Sequence, residues 1–178
     1  VWVLVSLVVA VLAVAALGPV RAWRPSSVVP VIEAGYALAA ASWLVISRAG
    51  LMPLGIPEPI VELTAVHFTY VGVGALALAD AARRNAAVGG WRAAGAVATT
   101  LVVAAPPVVA AGFTTRLAVA QIGGAVLLSA GVLTTATLQL REAAIGRPVD
   151  GTTPRRRTSR WLLGVSGLAP WIPMVLAV

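Results

Sequence analysis

A chain of 178 residues with 60% hydrophobic and 11% charged side chains is not a soluble globular domain, in which about 25% are charged; it reads as a single integral membrane bundle. The net charge of +7 and pI near 11.7 would fit nucleic acid, but the arginines stand in short stretches between apolar spans. Membrane orientation accounts for them, and no nucleic-acid partner is expected.

The residue inventory narrows the chemistry further. The lack of cysteine excludes disulfides, thiolate metal sites and cysteine nucleophiles. All thirteen basic residues are arginine, so a lysine Schiff base, and with it a retinal photoreceptor, is excluded. One histidine falls short of the three or four ligands that zinc takes and of a bis-histidine haem, so no metal and no cofactor is expected.

Six apolar stretches predict an all-α polytopic membrane helix bundle, one domain over residues 1–178. They run at about 1–20, 28–47, 58–79, 91–112, 117–140 and 161–178. The first ends at Gly18-Pro19 and lacks the positive flank of a signal peptide. A start at Val1 rather than methionine fits a fragment or an unusual start codon. Arg21 to Ser27 form a basic turn with Trp23 at the interface.

The second span has Pro30 in its first turn, with Glu33 and Tyr36 one turn apart on a shared face. Glu33 either pairs with a loop arginine or takes part in function. After a Gly/Pro-rich connector the third span begins at Glu58, and Asp80 beyond it is placed to pair with Arg83 and Arg84. The fourth carries Pro106-Pro107, expected to kink or break it, with Thr99 and Thr100 near enough to satisfy freed carbonyls.

The fifth span is dense in small and hydroxylic residues that fit close helix packing, while the amide of Gln121 needs partners on both its oxygen and its nitrogen. Residues 141–160, with Arg155-Arg156-Arg157, read as a loop that orients the chain or meets anionic lipid head groups. The sixth span opens at Trp161, holds Trp171, and stops at Val178 in mid-hydrophobic sequence, so the native chain is expected to continue.

Arginine placement predicts orientation. Eleven of the thirteen fall after the first, third and fifth spans, and only Arg48 and Arg116 fall after the second and fourth. The N-terminus is then outside, and loops 21–27, 80–92 and 141–160 are cytoplasmic, in a multi-pass cell-membrane protein.

The third span is the chemically loaded one. It holds Glu62, His67 and Tyr70 in a segment long enough to cross a bilayer, where each ionisable group costs roughly 2.5–3.5 kcal/mol. At 100° per residue Glu62 and Thr69 share one stripe, and His67, Tyr70 and Gly74 share another. Two polar faces place this helix centrally in the bundle, either as a functional site or hydrogen-bonded to its neighbours. Rise per residue puts Glu62 about 6 Å below the outer boundary, level with Gln121, and His67 near the midplane, level with Trp171. An outer cluster of Glu62, Gln121 and His67 and an inner one of Glu33, Tyr36 and Tyr70 are expected.

Leu63-Thr64-Ala65-Val66-His67-Phe68-Thr69-Tyr70-Val71-Gly72 resembles the signature of the YndJ-like family of bacterial membrane proteins, Leu-Thr-Ala-x-His-Phe-His-aromatic-Ala-Gly. Thr69 stands where that signature has a second histidine, and Val71 where it has alanine, which weakens any paired-histidine chemistry. The resemblance implies a bundle of seven helices at full length, with a His-Gly-x-x-Asn motif in a further span. In size and topology the chain is also similar to small seven-helix terpene cyclases, a likeness of architecture alone.

These readings lead to an expected intramembrane acid–base enzyme on a lipophilic, isoprenoid substrate, a protonation-initiated cyclase or isomerase. Glu62 or Glu33 would donate the proton and His67 orient it or take it back. Tyr70, Tyr36, Trp171, Gln121 and Thr69 would line the substrate pocket. The alternative is a non-enzymatic membrane component, a small transporter subunit or a structural partner in a larger complex.

Overall fold

The computed structural model describes residues 1–16, 25–88, 90–145, 164–165 and 167–168. Every regular element among them is helical: α1 (Trp2–Ala15), α2 (Pro25–Arg48), α3 (Glu58–His67), a π-helical segment (Phe68–Ala75), α4 (Leu76–Val88), α5 (Arg92–Thr115) and α6 (Ala118–Ile145). The all-α bundle is as expected; the number of spans is not.

Among the described residues four helices are long and apolar enough to cross a membrane: Val28–Arg48, Glu58–Ala86, Arg92–Thr115 and Ala118–Ala144. The expectation of six spans, or seven at full length, is corrected to these four. The 14 residues of α1 reach about 21 Å at 1.5 Å per residue, short of a hydrocarbon core of roughly 30 Å. Apart from residues 164–165 and 167–168, the stretch assigned to a sixth span lies outside the described residues, and Trp171 with it. So do residues 21–24, 89 and 146–160 of the three basic loops.

Local chemistry sets the boundaries. Gly50, at φ +64°, takes the left-handed conformation that ends α2, and the Leu51 N–H closes on the Ile46 carbonyl at 3.1 Å. Pro57 and Pro59 flank Glu58 at the start of α3, where missing N–H groups do no harm and a carboxylate meets the positive helix end. Because α2 begins at Pro25, Pro30 lies inside the helix rather than in its first turn. Pro106 and Pro107 likewise fail to break α5, which continues to Thr115.

The α5–α6 turn is tight. Arg116, at φ +57°, caps α5, and the Leu117 N–H bonds the Gly112 carbonyl at 3.0 Å. These helices therefore run antiparallel side by side. α4 packs on both, α2 packs on α3 and the π segment, and α1 lies against α2. Val29, Leu76, Ala79 and Val102 form the buried centre, with Tyr36 and Val103 packed against it. Alanines dominate the rest of the core, which lets the backbones approach closely.

Alternation gives the bundle two chemically different ends. Arg83, Arg84, Arg92 and Arg141 share one end, where the Arg141 guanidinium lies 5.0 Å from the centre of the Trp91 ring. Arg48, Arg116, Glu58 and Glu62 share the other. Asp80, 2% exposed, joins Arg83 (2.5 Å) and Arg84 at the basic end, the pairing expected for it.

Candidate functional site

The third span is one long helix interrupted by a wider turn. α3 and α4 keep α-helical bonding, while Phe68 to Ala75 between them are π-helical. Such segments are rare and cluster at functional positions. Gly72 makes this one possible beside α2: a Cβ there would lie 2.6 Å from the Tyr36 Cβ, so only glycine admits the two helices at this distance.

Tyr36 links three elements. Its ring stacks on Phe68 with centroids 5.7 Å apart, and its hydroxyl donates to the Val103 carbonyl at 2.7 Å. That carbonyl stands four residues before Pro107, which has no N–H to offer it. The phenol of α2 thus replaces the bond that proline removes from α5. Thr99 and Thr100 were expected to serve such carbonyls; Thr99 instead donates to Gly95 at 3.0 Å and reaches Ala79 at 3.4 Å.

His67 sits at the α3–π junction, half-buried, edge-on to Phe68 with centroids 6.2 Å apart. Its Nε2 is buried and has no hydrogen-bond partner among the described residues. Glu62 is not beside it. The Glu62 carboxylate, half exposed, meets Arg48 at 3.3 Å at the end of the span. One turn earlier the Ser47 hydroxyl donates to Glu58 at 2.5 Å, so two side-chain pairs staple the end of α2 to the start of α3. The other oxygen of Glu58 is buried without a partner among the described residues.

The remaining predicted site residues are dispersed. Glu33 on α2 is partly buried and within electrostatic reach of Arg84, toward the basic end. Tyr70 points outward, 73% exposed. The Thr69 hydroxyl returns to the Ala65 carbonyl of its own helix at 2.9 Å. Gln121 donates to the Gly112 carbonyl at 3.1 Å, closing the α5–α6 turn. Phe68 therefore touches both His67 and Tyr36, with Glu33 one turn from Tyr36 on α2, while Glu62 is turned to Arg48, Gln121 closes the α5–α6 turn and Tyr70 is exposed.

Sequence reasoning passed over Ser47 and Glu58, and the partner of Tyr36. Both had a signal. Glu58 precedes Glu62 by one turn and so shares its face, and any proline inside a span leaves the carbonyl four residues earlier in need of a donor. Among the described residues no group of three His, Asp or Glu side chains is close enough to hold a metal ion.

Fold and composition together define a polytopic helical membrane protein. The chain belongs to the YndJ-like protein family, whose family model matches residues 1–178. No curated protein and no solved structure is similar enough to match it.

Proposed function

We propose that this chain is a non-enzymatic membrane component, a structural partner within a larger membrane complex. The observation that carries this reading is Tyr70, a phenol near the middle of the Glu58–Ala86 span, 73% exposed. Its hydroxyl has no partner among the described residues. Against acyl chains alone that hydroxyl stays unpaired, whereas a neighbouring protein helix can bond it and cover the ring. The use of the other polar groups supports the same reading: Glu62 on Arg48, Tyr36 on Val103 and Gln121 on Gly112 tie helix to helix or close a turn.

Expected topology follows from the arginines. The end with Arg83, Arg84, Arg92 and Arg141 faces the cytoplasm, and the 141–160 segment meets anionic head groups there. With that end inside, the Val28–Arg48 span starts at the cytoplasmic face; an outside N-terminus, expected from six spans, would require residues 1–20 to cross as well, and α1 alone is too short for that.

The reading as a protonation-initiated isoprenoid cyclase or isomerase keeps one observation in its favour, the unpartnered Nε2 of His67. It needs a carboxyl group close to that nitrogen. The nearest acidic residue in the span, Glu62, is turned to Arg48 instead.

Native gel migration of the full-length protein, extracted from its own membranes in mild detergent, tests the proposal. The protein is expected to run in an assembly larger than itself and to leave it when Tyr70→Ala is introduced. Migration as a free chain with Tyr70 intact would overturn the proposal, as would an assembly indifferent to Tyr70→Ala.

A further inference from the structure

The third span is docked on two different sets of neighbours. α3 packs on α2, while α4 packs mainly on α5 and α6 and meets α2 at Val29, and the π segment joins the two halves. Its i→i+5 bonds take up about one residue more per turn than the α-helix does, so converting it to α-helix rotates and lifts one half against the other. The α3 half is fastened to α2 by Ser47–Glu58 and Arg48–Glu62, and the α4 half to α5 by the Thr99 hydroxyl reaching the Ala79 carbonyl at 3.4 Å and by the closeness of Gly95 to the Arg83 backbone. Each half is firm; the joint between them is not α-helical.

We infer that Phe68–Ala75 is a hinge between an α2–α3 unit and an α4–α5–α6 unit, latched by the Tyr36 hydroxyl on the Val103 carbonyl. The latch is a polar tie between α2 and α5, and it crosses the joint where the Tyr36 ring also stacks on Phe68. Pro107 makes it possible by leaving the Val103 oxygen free of its backbone donor. Opening moves His67, the last residue of the α3 half, relative to α5 and gives its buried Nε2 access to a partner. The inference does not depend on the proposed function, since either a partner helix or a lipophilic ligand could use the motion.

The absence of cysteine allows paired spin labels without background. Leu63→Cys with Ile122→Cys spans the hinge, and Leu78→Cys with Val97→Cys lies within one unit; all four side chains are exposed. In lipid nanodiscs Tyr36→Phe is expected to move the first distance by about 2–5 Å, between a small helix shift and a one-turn slip, and to leave the second unchanged. Gly72→Ala, whose Cβ collides with Tyr36, is expected to move the first distance too. In a Pro107→Ala background the backbone N–H of residue 107 takes the Val103 oxygen, and Tyr36→Phe is expected to move it less than half as far. An unchanged first distance in both variants overturns the hinge, and so does an equal shift in the two pairs. An equal effect of Tyr36→Phe with and without Pro107 overturns the latch.

Discussion

Asp80→Ala is expected to destabilise the bundle by about 3 kcal/mol, the lower end of what breaking a buried ion pair costs. Asp80 is 2% exposed and holds two guanidinium groups, of which Arg83 has a side chain only 16% exposed. Without the carboxylate, Arg83 keeps its charge in a tight seam between α4 and α5 with nothing to offset it. Arg84, 56% exposed, can turn to head groups or water, so Arg84→Ala is expected to cost well under 1 kcal/mol. Thermal unfolding in one detergent measures both: Asp80→Ala should lower the midpoint by roughly 6–12 °C and Arg84→Ala by a few degrees at most. Equal losses would mean that the buried partner is not the one that matters.

Gly124→Val is expected to have an effect of similar size through packing. At Gly124 a Cβ would lie 2.8 Å from the Val109 backbone nitrogen, and at Gly131, two turns on, 3.1 Å from the Val102 nitrogen. A backbone atom cannot swing aside as a side chain can, so α5 and α6 must separate, at about 1–3 kcal/mol and with loss of neighbouring contacts. Gly123 makes the control, since nothing lies within 4 Å of a Cβ there and Gly123→Ala should stay within about 0.5 kcal/mol of the original. The same melts, with trypsin digestion of the α5–α6 hairpin as a second probe, compare adjacent glycines in one helix. A loss at Gly123 equal to that at Gly124 would contradict the close approach.

How far the sequence could be read depended on the kind of signal. Hydropathy and length placed the starts of the spans at Val28, Glu58, Arg92 and Ala118 to within one residue, because each is closely preceded by Gly, Pro or Arg, whereas the third span runs on to Ala86, past the expected end at residue 79. The same measure overcounted, since an apolar run of suitable length says nothing of how much of it is one helix: α1 is 14 residues long. Asp80 was legible because its arginines follow at i+3 and i+4.

The site was less legible for a geometric reason. Assigning His67, Tyr70 and Gly74 to one face assumed 100° per residue throughout, and the π segment starts directly after His67. A wider turn advances less per residue, so Tyr70 leaves the face of His67 and emerges exposed. Nothing in the side-chain pattern of Phe68 to Ala75 announces that change of pitch. The depth arithmetic also treated each polar group as seeking another predicted polar group, whereas Tyr36 and Gln121 found backbone carbonyls at Val103 and Gly112. Carbonyls freed by proline or exposed at a helix end are acceptors that a list of polar side chains omits.

Whether the polar groups of the spans serve packing rather than chemistry is decided most directly by the isoprenoid lipids of cells in which the chromosomal copy carries Glu33→Gln, Glu62→Gln and His67→Gln together. Packing predicts a lipid profile indistinguishable from that of unaltered cells. A linear precursor accumulating to the level seen on deleting the gene would contradict it and restore these three residues to catalysis.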